Sequence, residues 1–231
     1  MVKRNRENIV STFFLNPESL PVQSLADESP LPAERLSPAW LRQRFLRPPA
    51  WTPEITDEHA LSTKLPFRAA SVLIPIVMRD EGLSLLLTRR AAHLHHHAGQ
   101  ISFPGGRFET SDVNPVETAL REAEEEVGLH RRHIDVLGAL PEYRTGTGYQ
   151  VTPIVSLVQP PFELQADPTE VAAIFEVPLS FLMNGQHHQR RAFDLPDGAG
   201  RRLFYTMPYQ QHFIWGATAG MLRNLFHMLR A

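Results

Sequence analysis

The segment Asn114–Gly128, NPVETALREAEEEVG, constrains this chain more than any other. Its two ends are written in local chemistry. Asn114 can accept hydrogen bonds from the first free N–H groups of a helix, and Pro115 suits the first helical position. Glu117 stands where the carboxylate of a capping box belongs. Gly128 supplies the left-handed residue that closes a last turn. The spacing predicts a helix over 115–127. Val116, Leu120, Ala123 and Val127 recur at steps of 4, 3 and 4, so one stripe of that helix must bury against another layer.

The same helix carries Glu122, Glu125 and Glu126 at i, i+3 and i+4, on one face beside the buried stripe. With Cβ atoms roughly 6 Å apart, each pair costs on the order of 0.7 kcal/mol in water and ~3 kcal/mol at an effective dielectric of 20. Arg121 can meet Glu125 one turn on, but one guanidinium does not neutralise three carboxylates. A divalent cation does, and all-oxygen ligation selects hard ions, Mg²⁺ or Mn²⁺. A bare acidic face is usually just solvated. Here the context argues otherwise. Gly105 and Gly106 precede the helix and let backbone N–H groups approach an anion. Arg89, Arg90 and Arg107 lie on nearby segments and can meet phosphate oxygens.

The rest of the chain supplies the layers. Ser71–Met78 and Leu83–Thr88 read as two strands around a turn, and Gln100–Phe103 as a short strand. Ile134–Leu140, Val151–Val158 and Ala172–Val177 are further strands. Arg201–Met207 and His212–Trp215 suit a hairpin. Ala217–Leu229 has helical spacing and closes the domain. Strands interleaved with two or three helices indicate an α/β or α+β layered domain. Residues 1–65 are punctuated by prolines and read as an arm of extended connections that packs on a main domain, residues 66–231. One short helix is expected there, Pro38–Leu46, capped by Ser37.

Composition removes several classes. With 231 residues the chain suits one domain plus an extension. The absence of cysteine excludes a disulfide framework and a Cys-ligated zinc site. A formal net charge of −2 argues against a nucleic-acid binder. The longest apolar runs, Ser71–Met78 and Leu83–Leu87, fall far short of a membrane span. The opening residues MVKRNRENIV lack the apolar core of a secretory signal, so a cytoplasmic location is expected.

Residues 121–129, REAEEEVGL, resemble the second half of the Nudix box, Arg-Glu-apolar-x-Glu-Glu-x-Gly-apolar. The first half is offset. Arg107 stands where the box has Gly and Val113 where it has Glu, while Gly106 and Asp112 each lie one residue earlier. Leu86–Gly106, LLTRRAAHLHHHAGQISFPGG, is similar to the segment that marks the coenzyme A pyrophosphatase branch of Nudix hydrolases. That segment runs Leu-Thr-x-Arg, His-x-Gly-Gln, Phe-Pro-Gly-Gly. Thr118–Glu122, Gly148–Pro153, Glu170–Leu179 and Ile214–Ala219 match the branch as well. His95 departs from it, standing where the branch usually has Arg. The resemblance covers roughly residues 70–225.

The resemblance implies a Nudix fold, an α/β/α sandwich with a mixed sheet. It implies Mg²⁺- or Mn²⁺-dependent cleavage of the diphosphate of coenzyme A or acyl-coenzyme A, giving 3′,5′-ADP and a 4′-phosphopantetheine compound. The expected metal ligands are Glu122, Glu125 and Glu126. The expected catalytic residues are Glu125 on the helix and Glu170 on a later loop, either of which can serve as general base. Arg89, Arg90, His97, Gln100, Gly105, Gly106 and Arg107 are expected to bind substrate. Arg121 is expected to hold Glu125 or a backbone carbonyl. Glu109 and Asp112 are read either as outer-shell acceptors or as solvated side chains. His93, His95 and His96 suit a solvated loop, because no carboxylate or cysteine accompanies them at a metal spacing. Tyr149, Gln150 and Phe103 are candidate substrate contacts, with core or rim packing as the plainer role. The expected partner is a small molecule, not nucleic acid or membrane, and a homodimer is compatible with the sequence. Two alternatives stay open: another nucleoside diphosphate as substrate, or a Nudix-fold binding module without turnover. The intact glutamates oppose the second.

Overall fold

The computed structural model describes residues 16–54, 67–94, 97–194 and 200–231. His95 and His96 therefore lie outside the described residues. Among those described, strands β1 to β12 are Val22–Leu25, Arg68–Arg79, Gly82–Arg90, Ile101–Ser102, Gly105–Arg107, Ile134–Ala139, Tyr143–Arg144, Tyr149–Val158, Val171–Pro178, Gln189–Asp194, Arg201–Tyr209 and His212–Trp215. Helices α1 to α4 are Pro38–Leu46, Pro115–Val127, Leu179–Leu182 and Gly216–Arg230.

The main sheet runs β4-β3-β2-β8-β6, with β5 on β2, β7 on β8 and β9 on β3. It is mixed: β2 and β8 are parallel from Arg68↔Tyr149 to Val77↔Val158, and the other pairs are antiparallel. Its central strands read as continuous apolar runs because both faces are covered. Leu73, Val77, Leu86, Ile154 and Val158 pack against Ala119, Leu120, Ala123 and Val127 of α2. Ile74, Ile76, Leu85, Leu87, Val155 and Leu157 point the other way, toward Leu222, Leu225, Phe226 and Leu229 of α4. That alternation makes a helix-sheet-helix sandwich.

A second, antiparallel sheet, β1-β10-β11-β12, was only half expected. Its β11–β12 hairpin follows the apolar pattern. The strands β1 and β10 were missed, because every residue of β1 is exposed and β10 carries arginines on a polar run. Strand β1 comes from the proline-rich arm and pairs with β10. Helix α1 falls where its cap predicts: Ser37 Oγ accepts from Trp40 N–H at 3.4 Å. Leu41 of α1 is fully buried in the core shared with α4. No helix among the described residues is long and apolar enough to cross a membrane.

Helix α2 has the expected bounds. Asn114 Oδ1 accepts from Val116 and Glu117 N–H at 2.9 and 3.1 Å, and Gly128 takes the left-handed conformation at φ 68°. One detail corrects the sequence reading: Glu117 does not reach back to the cap. Its carboxylate takes Arg131 Nη1 at 3.0 Å, a charged partner that outcompetes the neutral N–H.

Candidate active site

The packing of α2 sets the site. With its apolar stripe on the sheet, the adjoining face carries Glu122 and Glu126 to the β4–β5 connection. Glu126 is buried. Its Oε2 accepts from Gly105 N–H at 3.1 Å, and Arg90 Nη1 lies 3.6 Å from Oε1. Burial pushes the Glu126 carboxyl up to about 8, with the charges of Glu122 and Glu170 adding to it against the Gly105 N–H and Arg90. Burial also raises Glu122, with Arg121 opposing and Glu125 and Glu170 adding. Glu170 thus belongs electrostatically to this cluster although it lies 44 residues from Glu126. Backbone bonds hold it there. Asp167 N–H donates to the Glu126 carbonyl at 2.9 Å, Glu170 N–H to Asp167 at 3.0 Å, and Ala91 N–H to Glu170 at 2.8 Å.

Arg121 organises the other side of the helix. Its guanidinium grips Asp112 with Nε and Nη2, each at 3.0 Å, and reaches Glu122 at 3.0 Å, Glu125 at 2.8 Å and the Arg107 carbonyl at 3.1 Å. Both expected partners of Arg121 are present. Asp112, in contrast, is not solvated. It is buried, accepts from Thr118 Oγ1 and Glu109 N–H at 2.9 Å each, and the Arg121 contact holds its carboxyl well below the usual range. It is a strut for the loop-to-helix junction. Among the described residues, Glu109 contributes a backbone N–H to that strut.

Other predicted residues separate by strand alternation. Arg90 faces Glu126, while Arg89 points to the opposite face, 3.3 Å from His212 Nδ1, where His212 stacks on Phe175. The loop after β3 returns to its own start: Arg90 N–H donates to Gln100 at 3.0 Å and Gly99 N–H to Arg90 at 3.2 Å. His97 Nδ1 and Gln100 Oε1 are 2.8 Å apart. His93 is not merely solvated, since its Nε2 donates to the Thr169 carbonyl at 3.0 Å, beside Glu170. Arg107 Nε donates to Tyr149 Oη at 2.9 Å. Phe103 is core, and Gln150 donates to Glu142 at 2.6 Å. Sequence reasoning missed Asp167, and only its turn chemistry, with the side chain accepting from Thr169, signals it.

The donor set suits a hard cation. Gly106 leaves space that the Glu122 carboxylate fills: a Cβ there would lie 2.3 Å from Glu122 Oε1. Glu122 and Glu126 offer only oxygens, and burial opposes their ionised forms, which a cation would favour. The three helix glutamates do not close on one point. Glu125 is more than half exposed and turned onto Arg121, and no group of three His, Asp or Glu among the described residues is arranged as a metal site.

The NUDIX domain model matches residues 67–195, more than half of the chain, and the chain belongs to the Nudix family. An Escherichia coli K12 relative named as an uncharacterized Nudix hydrolase, NudL, is 43% identical over 159 residues, 68% of this chain and 81% of its own length. The chain is also similar to a solved Nudix hydrolase from M. smegmatis, RenU, at 22% identity and TM-score 0.43, covering 50% of this chain and 73% of that one. A C. elegans Ap4A hydrolase complex gives 16% identity and TM-score 0.42 over 48% and 80%. Nudix hydrolases act on small molecules and generally use divalent metal ions.

Proposed function

We propose that this chain hydrolyses the diphosphate of coenzyme A or its thioesters to 3′,5′-ADP and the corresponding 4′-phosphopantetheine, in the cytoplasm, with Mg²⁺ or Mn²⁺. The observation that carries the reading is Arg90 beside Glu126. Arg90 is the arginine of the Leu-Thr-x-Arg motif, and the Gly105 N–H that completes the contact belongs to Phe-Pro-Gly-Gly. The two halves of the branch segment thus converge on the helix carboxylates. The NudL name itself carries no substrate.

Glu122 and Glu126 would hold the cation, with Glu125 able to join by leaving Arg121. When bound, the cation offsets phosphate charge and lowers the pKa of an attacking water. The chain's own residues supply the rest. Arg90 can meet non-bridging oxygens of the scissile diphosphate. Gly105 and Gly106 keep side chains out of the path of the anion. Glu170, whose charge acts on Glu122 and Glu126, would take the proton of the water as it adds to phosphorus and the P–O bridge breaks.

The test is product analysis by mass spectrometry after incubation with coenzyme A in ¹⁸O-water, with Mg²⁺, with Mn²⁺ and with chelator. Metal-dependent 3′,5′-ADP and 4′-phosphopantetheine are expected, and the label names the attacked phosphorus. No turnover of coenzyme A, with turnover of another nucleoside diphosphate, overturns the substrate. Tight binding without any turnover overturns the enzyme.

A further inference from the structure

On the sheet face opposite α2, at the open end of β2 and β8, two arginines share one tyrosine. Arg68 and Tyr149 are register partners, and Arg107 pairs with Ala70, two residues along β2 from Arg68. All three side chains therefore fall on one face. The Arg68 guanidinium lies 4.6 Å from the Tyr149 ring centroid, while Arg107 sits at the hydroxyl edge with its Nε donating to Oη at 2.9 Å. Tyr149 is itself packed against the core, which fixes the ring. Among the described residues neither arginine has an ion-pair partner. The nearby carboxylate of Glu142 is engaged by Gln150. Two like charges are thus gathered on a packed ring with no ion-pair partner among the described residues, in a chain whose net charge is −2.

We propose that Arg68, Arg107 and Tyr149 form a subsite for a second, non-scissile phosphate of the substrate, a phosphomonoester on its nucleoside. The placement argues for a second group. The diphosphate to be cut must lie at Glu122, Glu126 and Arg90. Arg107 follows Gly106 directly, but its side chain turns to the other face of β5. One phosphate does not reach both faces, whereas one ligand can cross the glycine edge between them. Two guanidiniums and a phenol hydroxyl suit a dianionic monoester better than a neutral sugar or base. The inference rests on the nucleoside diphosphate reading above and narrows it to substrates with that extra phosphate.

The experiment compares ligands that differ only by the monoester. Calorimetry with 3′,5′-ADP and 5′-AMP, and kcat/KM for coenzyme A and dephospho-coenzyme A, are measured on the full chain and on Arg68→Gln and Arg107→Gln. The native chain is expected to favour the phosphorylated member of each pair by at least about tenfold, chiefly in Kd and KM, and each variant is expected to bring the ratio to within about twofold. A purely structural role would weaken both members equally and would overturn the subsite. So would native binding of 3′,5′-ADP no tighter than AMP. If neither coenzyme A nor dephospho-coenzyme A is cleaved, the substrate reading falls, while the calorimetric ratio still decides the subsite.

Discussion

Two arginines, Arg121 and Arg223, each gather carboxylates, and the carboxylates around them respond in opposite ways. Arg223 of α4 is buried. It forms two bonds to Glu28, at 2.8 and 2.9 Å, and one to Glu54 at 3.0 Å, and it lies 4.7 Å from the Tyr205 ring centroid. It also donates to His188 Nδ1 at 3.0 Å, while His188 Nε2 donates to the Leu182 carbonyl at 2.7 Å. Burial opposes ionisation of Glu54, but hydrogen bonds from His227, Tyr205 and Arg223 overcome it and hold the carboxyl at about 2. Glu28 is lowered in the same way by Arg223 against its burial. Around α2, Arg121 is committed to Asp112, and burial leaves Glu122 and Glu126 raised. The first cluster closes its own charge and ties the arm to α4. The second holds carboxyls whose ionisation is opposed by burial and by one another, a cost that a bound cation would offset.

The sharpest break between them comes from Glu126→Gln. With Mg²⁺ present, turnover is expected to fall by at least about two orders of magnitude, as for removal of a metal ligand. The melting temperature of the metal-free chain should hold or rise, because a neutral amide replaces a carboxyl whose ionisation burial opposes. Steady-state kinetics and thermal melting on one preparation check both. Arg223→Met should do the reverse. It leaves Glu28 and Glu54 uncompensated, at a cost of about 3 kcal/mol in urea unfolding, with turnover per folded molecule within about twofold of native. Loss of turnover from Arg223→Met, or of stability from Glu126→Gln, would erase the distinction.

These clusters were not equally legible in the sequence. Helix α2 could be read to the residue because cap, stripe and C-terminal glycine all lie within 15 residues, Asn114 to Gly128. The core strands could be read because both faces are apolar. Glu170 was reachable only through the family segment, since its place depends on backbone bonds to Ala91 and Asp167. The Arg223 cluster was not reachable. It joins Glu28, Glu54, His188 and His227 across up to 199 positions, and none of these residues carries a local signal. Strand β1 was hidden for the same reason, as its hydrogen-bond partner is non-local and its side chains bury nothing. Arg89 and Arg90 were read together, but strand alternation sets them on opposite faces, which a two-residue period could have shown.

Gly105 and Gly106 sharpen the comparison within one strand. A Cβ at Gly105 would meet backbone, Ser71 O at 2.5 Å and Val72 Cα at 2.6 Å. Gly105→Ala is therefore expected to cost stability, on the order of 2 kcal/mol in chemical unfolding. The atoms nearest a Cβ at Gly106 are those of the Glu122 carboxylate, the far end of a side chain. Gly106→Ala should leave the unfolding midpoint within roughly 0.5 kcal/mol of native while lowering kcat by about tenfold, because the displaced carboxylate is the one that serves the site. Equal stability losses for the two variants would place Glu122 in the scaffold.

The smallest effect is the acid response of the Arg223 cluster, and its sign follows from the two shifts. His188 is lowered to about 4, by burial first and the Arg223 charge after it. The unfolded chain then binds the extra proton as pH falls from about 6.5 to 4, and stability drops across that window. Glu54, held at about 2, is ionised in the folded chain where its unfolded counterpart is protonated, so its contribution is present above pH ~4.5 and is lost as pH falls toward 2. Each contributes roughly 1–2 kcal/mol once the partial exposure of Glu54 and the relaxation of buried sites are allowed for. Urea midpoints measured from pH 8 to 3 should therefore fall in two stages. Glu54→Gln should flatten the lower stage and His188→Asn the upper one. A lower stage unchanged in Glu54→Gln would mean that Glu54 adds nothing to the hold on the arm, and that Glu28 alone answers Arg223.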